Sequence, residues 1–208
     1  MKIGIIGSGH IGGTLTRRFQ DLGHDVTIAN SRGPETLRDL AQETGATAGT
    51  VQEAAAAGDV VVIAVPVRSV PDLPAEAFHD KVVVDANNYY PQRDGHIDPL
   101  EDKSLTSSRW TAEGLPGAKV VKVFNNIKSG HLLSHGRPAG DPGRIALPVA
   151  GDDETAKQTV MALVDELGFD PVDAGTLDES WRQQPGTPVY GTDRDAAGVR
   201  QGIASAKP

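Results

Sequence analysis

Residues 2–13 read KIGIIGSGHIGG, a short apolar run that ends directly in the glycine pattern G-x-G-x-x-G. The run is typical of a buried parallel strand. Gly7 would allow the tight turn after the strand, Gly9 would let the backbone approach a pyrophosphate, and Gly12 would let the next helix pack closely on the sheet. The N–H groups at the start of that helix would bind the phosphates. The stretch predicts a Rossmann-type dinucleotide site made of Gly7, Ser8, Gly9, His10, Ile11 and Gly12.

The end of the second predicted strand, Asp25–Asn30, indicates which dinucleotide binds. An acidic residue there would accept a hydrogen bond from the ribose 2′-hydroxyl of NAD. The chain has Asn30, Ser31 and Arg32 instead. A hydroxyl and a guanidinium suit a 2′-phosphate, and no carboxylate stands at that position to repel it. We therefore predict NADP(H) rather than NAD(H); the alternative is a turn whose arginine is merely exposed.

Strands alternate with helices along most of the chain, which predicts a mostly parallel sheet covered on both faces. The predicted strands are Lys2–Ile6, Asp25–Asn30, Ala46–Ala48, Val60–Val65, Lys81–Ala86, Lys119–Phe124, Ile145–Ala150 and Pro171–Ala174. The predicted helices are Ile11–Leu22, Pro34–Gly45, Val51–Ala57 and Glu154–Leu167. The fold class is α/β, a doubly wound Rossmann-type sheet in one domain of residues 1–175, followed by a polar C-terminal extension of residues 176–208.

Residues that follow the later strands are candidates for the rest of the site, because ligands of open α/β sheets bind outside the carboxyl ends of the strands. Val65 and Pro66 would form an apolar wall for a nicotinamide, and the amides of Asn87 and Asn125 would position the carboxamide or the acceptor. The further candidates, for the site of the hydride acceptor, are Asn88, Tyr89, Asn125, Asn126, His131 and Trp181. The alternative for each asparagine is a turn former after a strand.

Two segments are expected to close over this cleft. Residues 128–144 are rich in glycine and proline and are predicted to form a long, mobile covering loop. The strip between Pro185 and Pro188 would run extended across the cleft mouth or onto a partner subunit, supplying Trp181 or Tyr190 as an apolar wall. The alternative for the second segment is a loosely attached tail.

Composition and missing motifs exclude several classes of function. The formal net charge of −8 argues against a nucleic-acid or anionic-membrane partner, and the absence of cysteine excludes disulfides and thiol catalysis. His131 and His135 lack a nearby third ligand, so no metal site is predicted. No motif identifies a catalytic acid or nucleophile, and no catalytic residue is assigned. No stretch approaches the roughly 20 apolar residues that span a bilayer, so we expect a soluble, cytoplasmic protein.

The chain resembles the NADPH-dependent oxidoreductases of coenzyme F-420 (F420 hereafter), an 8-hydroxy-5-deazaflavin. The stretches that carry the resemblance are Lys2–Gly13, Leu22–Arg32, Asp59–Pro66, Val120–Ile127 and, most specifically, Leu147–Gly175. The resemblance implies that Ser31 and Arg32 bind the 2′-phosphate, that a deazaflavin or another flavin is the co-substrate, and that the protein is a homodimer. Residues after 175 depart from the family, whose members end in an apolar helical segment.

These observations predict an NADP-dependent oxidoreductase that transfers a hydride between NADP(H) and a planar, flavin-like redox partner such as F420. One alternative is an NADPH-dependent reductase of small carbonyl compounds or imines, although residues 176–208 are too few for the large helical domain that such reductases generally add. The other alternative is a non-catalytic NADP(H)-binding sensor, because every strong motif concerns the nucleotide.

Overall fold

A computed structural model describes residues 1–207, and its strands form one sheet. The strands are β1 (Lys2–Ile6), β2 (Asp25–Ala29), β3 (Thr47–Ala48), β4 (Val60–Ile63), β5 (Val82–Asp85), β6 (Lys119–Lys122), β7 (Ala146–Gly151) and β8 (Asp170–Asp173). Their order in the sheet is β3-β2-β1-β4-β5-β6-β7-β8. Neighbouring strands are parallel except β6 and β7, which are antiparallel. The predicted α/β class and mostly parallel sheet are confirmed.

The helices connect these strands and follow the last one. The α-helices are α1 (His10–Asp21), α2 (Arg38–Thr44), α3 (Val51–Ala57), α4 (Pro91–Asp94), α5 (Asp98–Glu101), α6 (Ser107–Gly114), α7 (Ser129–Ser134), α8 (Glu154–Glu166) and α9 (Ala196–Ser205). The 3₁₀ helices are Pro34–Leu37, Val67–Asp72, Ala75–Phe78 and Leu177–Gln183. Among residues 1–207, no helix is both long enough and apolar enough to cross a membrane.

Apolar side chains pack on both faces of the sheet. On one face, Phe19 of α1, Leu132 of α7 and Val160 of α8 belong to one buried cluster. On the other face, Ala54 of α3 packs in a second cluster with Phe78. Because helices cover both faces, the polar loops are left at the strand ends, and the carboxyl edge of the parallel strands is available for a ligand.

The structure gives α3 the same first and last residues as the sequence predicted, and local contacts explain where this helix begins. Thr50 accepts a hydrogen bond from the backbone N–H of Glu53 at 3.2 Å, and the Glu53 carboxylate accepts one from the backbone N–H of Thr50 at 2.8 Å. This reciprocal capping box begins α3 at Val51, and the helix ends at Ala57. The predicted boundaries Val51–Ala57 are therefore confirmed.

The prediction of one long loop over residues 128–144 is wrong. The segment contains α7, whose Leu132 is fully buried and packs against α1. Arg144, 5% exposed, ends the segment with ion pairs to Asp165 and Asp170 at 2.8 and 2.9 Å. The many glycines and prolines of the segment favoured a loop over a helix in the sequence analysis. In the structure, the packing of Leu132 in the buried cluster stabilises α7.

The prediction that the chain runs extended between Pro185 and Pro188 is also wrong. The chain turns twice there, because the N–H of Thr187 donates to the carbonyl of Gln184 at 3.2 Å and the N–H of Tyr190 donates to the carbonyl of Thr187 at 3.1 Å. Prolines at turn positions preset the backbone for a turn as readily as for an extended segment.

The C-terminal part also contains a helix that the sequence did not predict. Val199 of α9 packs with Val189, Ala146 of β7 and Val172 of β8 in a small buried cluster. The side chain of Gln183 is fully buried and donates to the carbonyl of Pro148 at 3.1 Å. The segment after residue 175 is therefore packed against β7 and β8.

Candidate functional site: a dinucleotide cleft at the carboxyl edge of the sheet

The three motif glycines meet different surroundings. A Cβ atom on Gly7, whose φ is +106°, would come within 2.1 Å of the Ala64 carbonyl oxygen, and one on Gly12 would come within 1.8 Å of the Gly7 carbonyl oxygen. A Cβ atom on Gly9 would meet nothing within 4 Å. The fold itself therefore requires Gly7 and Gly12, whereas the space over Gly9 is open. That open space lies at the N-terminus of α1, where unpaired N–H groups favour an anion.

The loop after β2 presents one free cation to this space. The Asn30 side-chain oxygen accepts from the N–H of Arg32 at 2.8 Å, and its Nδ2 donates to the hydroxyls of Ser8 at 3.1 Å and Thr36 at 2.9 Å. Asn30 thus connects the glycine loop to the residues that follow β2. Arg32 is exposed, and within residues 1–207 its guanidinium makes no ion pair or side-chain hydrogen bond. The nearby Arg17, by contrast, is bound by Glu43 at 2.6 and 2.7 Å.

Two cavities lie side by side along the strand ends. The first, of about 490 Å³, includes Gly9, Asn30, Ser31 and Arg32 in its lining. The second, of about 420 Å³, extends over β4, β5 and β6 and includes Asn87, Asn125 and Ile127. They share Gly9, Ala64, Val65 and Pro66, so together they form one cleft. We call the first part the adenosine end and the second part the nicotinamide end, after the parts of NADP(H) that the sequence analysis expects there.

Asn87 offers an unused donor at the nicotinamide end. Its Oδ1 accepts from the backbone N–H of Val65 at 2.8 Å, which fixes the orientation of the amide. Its Nδ2 is buried and has no hydrogen-bond partner in the described part of the chain. A buried, unpaired donor costs about 1–3 kcal/mol, so a donor left in this state beside a cavity is suited to a ligand acceptor such as a carboxamide oxygen.

A buried ion pair holds the backbone of Asn87 from both sides. Lys122 and Asp85 are fully buried, with the Lys122 Nζ 3.3 Å from the Asp85 Oδ2. The Lys122 Nζ also donates to the Asn87 carbonyl, while the Asn87 N–H donates to the Asp85 Oδ1 at 2.9 Å. Ser108 donates a further hydrogen bond to Asp85 at 2.7 Å. Burial lowers the pKa of Lys122, and the charge of Asp85 opposes that shift.

Asn88 and Asn125 line the cleft, but their side-chain amides already form hydrogen bonds with each other's residues and with Gln183. The Asn125 Nδ2 donates to the Asn88 Oδ1 at 3.0 Å and to the Gln183 carbonyl at 2.8 Å, and the Asn88 Nδ2 donates to the Asn125 carbonyl at 2.7 Å. The Gln183 Nε2 returns a hydrogen bond to the Asn125 Oδ1 at 3.0 Å. These amides shape the floor of the cleft more than they offer groups to a ligand.

Four acceptor-site candidates lie outside the cleft, which corrects their expected placement. Asn126 is buried and donates to the Val189 carbonyl at 3.3 Å. The Tyr89 hydroxyl donates to the Gly95 carbonyl at 2.8 Å. Asn87, Asn88 and Asn125 line the nicotinamide end, whereas Tyr89 and Asn126 do not.

His131 and Trp181 are the other two of these four candidates. The His131 Nδ1 pairs with Asp193 at 2.8 Å, and its ring stacks on His135 with centroids 4.4 Å apart. Trp181 lies with Tyr89 in a separate cavity of about 640 Å³, and the Arg182 guanidinium stacks on its ring. No residue of the segment 128–144 lines the nicotinamide end, so that segment does not cover the cleft as expected. No cluster of three or more metal-ligating side chains occurs among residues 1–207.

Three polar residues that the sequence did not predict to meet line the nicotinamide end together. These are Tyr90, Arg93 and Tyr190. The hydroxyls of Tyr90 and Tyr190 hydrogen-bond to each other, and the Arg93 guanidinium carbon lies 5.0 Å from the centroid of the Tyr90 ring. The sequence analysis gives Tyr190 only as an alternative to Trp181 for an apolar wall of the cleft. No local pattern connects residues 90 and 190, so only the fold could bring them together.

Comparison with known proteins places this cleft in a family. Residues 2–89 match the family described as NADP oxidoreductase, coenzyme F420-dependent. This part of the chain contains β1 to β5 and all the residues that line the adenosine end. The structure of SMa0349 from Sinorhizobium meliloti is 34% identical, with a TM-score of 0.81, and the match covers 93% of this chain and 94% of that one. The chain belongs to this family.

Two further relatives show how far the family likeness extends. A structure from Arthrobacter sp. FB24, assigned as a candidate F420-dependent NADP reductase, is 28% identical with a TM-score of 0.75, over 86% of this chain and 87% of that one. Metalloreductase STEAP3 of Rattus norvegicus is 31% identical over 186 residues, which are 85% of this chain and 34% of that protein. The chain spans between a third and somewhat more than half of the length of the curated relatives it matches.

Proposed function

We propose that the protein is an NADP-dependent oxidoreductase that transfers a hydride between NADP(H) and a planar, flavin-like acceptor such as coenzyme F420. The observation that carries this proposal is the continuous cleft. It runs from the free guanidinium of Arg32, over the open space at Gly9, to the amide nitrogen of Asn87, which has no partner among residues 1–207. These three features suit the phosphate, pyrophosphate and carboxamide of one NADP molecule, in the order in which they occur in that molecule.

Each part of the cofactor would have its own protein groups. Ser31 and Arg32, positioned by Asn30, would bind the 2′-phosphate. The glycine loop and the start of α1 would bind the pyrophosphate through Gly7, Ser8, Gly9, His10, Ile11 and Gly12. Val65 and Pro66 would pack on the nicotinamide, and Asn87 would donate to its carboxamide. The bound cofactor supplies the hydride, and the protein supplies orientation and exclusion of water.

The acceptor would occupy the part of the nicotinamide end that the cofactor leaves free, between Asn88, Asn125, Ile127 and Tyr190. Hydride transfer requires the two reacting carbons to approach within about 3–3.5 Å, which two stacked planar rings satisfy. A flavin-like ring carries its own electron-accepting system, so the protein needs no nucleophile or metal for this step.

A second candidate is reduction of a small carbonyl compound or imine. The Tyr90–Tyr190 pair favours it, because such acceptors need a hydrogen-bond or proton donor at the atom next to the reduced carbon. We further propose that the protein works as a homodimer with a small-molecule redox partner, and sedimentation velocity would measure its mass.

The experiment that tests the proposed function measures two quantities, the affinity for each cofactor and the rate of NADPH oxidation with each acceptor. NADPH and NADH binding are measured by calorimetry, and NADPH oxidation is then followed spectroscopically with oxidised F420, riboflavin and a panel of carbonyl compounds and imines. We expect preference for NADPH and turnover of F420. Preference for NADH would contradict the cofactor assignment. Tight NADPH binding without turnover of any acceptor would instead indicate a sensor.

A further inference from the structure

Two tyrosine hydroxyls meet at the nicotinamide end of the cleft, 100 residues apart in the sequence. Tyr90 follows β5, and Tyr190 lies in the turns before α9. Their hydroxyls hydrogen-bond to each other, and both residues line the cleft. Neither hydroxyl has another hydrogen-bond partner among residues 1–207. The pair is therefore held by the fold while remaining open to a ligand.

Counting protons shows what the pair can offer. Two neutral hydroxyls carry two protons, and their mutual hydrogen bond uses one of them. The other proton is free to be donated to a ligand, and the donating oxygen is polarised because it also accepts a hydrogen bond. Burial, together with the hydrogen bond that it shares with Tyr90, raises the pKa of Tyr190, so this hydroxyl keeps its proton to a higher pH than an exposed tyrosine does.

The charge beside the pair indicates the kind of oxygen it would bind. Arg93 stacks on Tyr90, but its guanidinium is paired with the buried carboxylate of Asp94 at 2.8 Å and donates to the Asn88 carbonyl at 2.6 Å. The subsite thus has hydrogen-bond donors with its local charge balanced. A permanent dianion such as a phosphate would find no uncompensated cation there. A carbonyl oxygen, neutral before hydride transfer and negative during it, matches better.

We propose that the Tyr90–Tyr190 pair donates a hydrogen bond to a carbonyl oxygen that is conjugated to the hydride-accepting carbon of the acceptor. This inference rests on the proposed function and narrows the acceptor to conjugated carbonyl compounds, a class that includes the deazaflavin ring and simple enones. Preorganised donors aimed at developing negative charge are the most effective way for a protein to accelerate such a step.

The chemical balance is complete with the groups named. A C–H bond of NADPH breaks, and its hydrogen and electron pair form a new C–H bond at the acceptor carbon. The π electrons of the acceptor shift toward the carbonyl oxygen, which becomes an enolate bound by the pair. The enolate then takes one proton, from the tyrosine pair or from water, and water restores any proton that the pair has lost. NADPH is oxidised to NADP⁺ and the acceptor is reduced by two electrons.

The test compares Tyr90→Phe, Tyr190→Phe and the double variant with the wild-type protein. Tyr89→Phe is the matched control, because its hydroxyl contacts Gly95 and Glu101 outside the cleft. For each protein, the NADPH dissociation constant, the melting temperature, and kcat and KM are measured. The acceptors are oxidised F420 and 2-cyclohexen-1-one, both used with NADPH.

We expect NADPH affinity to stay within about two-fold in every variant, since the nucleotide groups are elsewhere. Loss of the tyrosine that contacts the acceptor should lower kcat by about 100- to 1000-fold, as loss of one oxyanion donor does. Loss of the other tyrosine should cost less, because the first still donates. The double variant should be no slower than the slower single variant, because the pair delivers a single proton.

The possible outcomes separate this inference from the proposed function. A double variant with unchanged kcat and a lower melting temperature would show that the pair is only structural and would overturn the inference, leaving the proposed function intact. Reduction of cyclohexenone but not of F420, with the expected dependence on tyrosine, would support the inference and contradict the F420 assignment. If the wild-type protein binds NADPH but reduces none of F420, riboflavin and cyclohexenone, both proposals are wrong.

Discussion

The adenosine and nicotinamide ends of the cleft are built in different ways. The groups that we propose to bind the phosphates at the adenosine end come from residues 7–12 and 30–32, which are joined by a single helix and strand. The nicotinamide end combines the ends of β4, β5 and β6 with a tyrosine 100 residues beyond its hydrogen-bond partner. A local motif thus forms one end, and the tertiary fold assembles the other. This difference means that the two ends should respond differently to substitution.

Polar groups are also used differently at the two ends. At the adenosine end, the Arg32 guanidinium and the start of α1 have no side-chain partner in the part of the chain that the structure describes, and they are available to a ligand. At the nicotinamide end, Asn88, Asn125 and Gln183 are hydrogen-bonded to one another. Substitutions of the open or exposed positions at the first end, Gly9 and Arg32, should therefore change ligand affinity and leave stability alone. Substitutions beneath the second end should lower both, because its groups also hold the fold together.

The largest effect is expected from the glycine loop. Gly9→Val should abolish NADPH binding, because its side chain would occupy the open space over the loop, and should leave the melting temperature within a few degrees of the wild-type value. Gly12→Val is the matched control and should fail to fold, since its Cβ would lie 1.8 Å from a backbone oxygen. Calorimetry and circular dichroism measure the two effects. Normal NADPH affinity of Gly9→Val would mean that the ligand binds elsewhere.

The second effect concerns the buried ion pair beneath Asn87. Lys122→Met should lower the free energy of unfolding by about 3–5 kcal/mol, because it leaves Asp85 buried without its cation. Lys119→Met removes a partly exposed lysine 3.8 Å from Asp153 and should cost about 1 kcal/mol or less. Urea denaturation measures both.

A ligand comparison then tests whether Lys122 also positions Asn87. In Lys122→Met, affinity for NADP⁺ should fall while affinity for 2′,5′-ADP, which lacks the nicotinamide, should not change. Equal losses for the two ligands would show that the ion pair contributes only to stability.

The third prediction concerns Arg32 and the choice of cofactor. Charge-assisted hydrogen bonds contribute about 1.5–3 kcal/mol, so Arg32→Ala should weaken NADPH binding by roughly 10- to 150-fold. NADH binding should hardly change, because NADH lacks the 2′-phosphate. Arg200→Ala, on α9 at the other edge of the sheet, is the charge-matched control and should alter neither. Equal affinity of the wild-type protein for both cofactors would contradict the assignment.

The fourth prediction concerns alkaline pH. Burial and the partner hydroxyl raise the pKa of Tyr190 in the folded state, so folding disfavours its ionisation. Its contribution to stability is complete below the unfolded pKa of about 10 and is lost as pH rises above it. Tyr190→Phe should therefore show a shallower fall in the free energy of unfolding above about pH 10 than the wild-type protein. Identical slopes in urea titrations would contradict this reading of the pair.

The smallest effect is expected at Trp181. Its side chain lies in the separate cavity with Tyr89 and stacks with Arg182. Trp181→Ala should leave NADPH affinity and the KM for the acceptor within about two-fold and should lower the melting temperature only modestly. A large rise in that KM would mean that the acceptor reaches beyond the nicotinamide end into the second cavity.

By itself, the sequence determined the elements whose requirements are local. The order β1, α1, β2 and the roles of Gly7 and Gly12 follow from neighbouring residues, because a turn and a close approach of backbones are decided within a few positions. The start of α3 follows from the Thr50–Glu53 capping box for the same reason. The candidates Val65, Pro66, Asn87, Asn88 and Asn125 were identifiable because the carboxyl ends of parallel strands lie at one edge.

Only the tertiary structure decided which side of each strand end faces the cleft and what closes it. Tyr89 and Tyr90 are adjacent, yet Tyr90 lines the nicotinamide end and Tyr89 lies in the other cavity. Helices α7 and α9 depend on the burial of Leu132 and Val199 against distant strands and helices, which no local pattern records. The pairing of Tyr90 with Tyr190 likewise depends on how the C-terminal segment packs. Contacts between residues far apart in the chain are set by packing of the whole fold, whereas caps and turns are set by their neighbours.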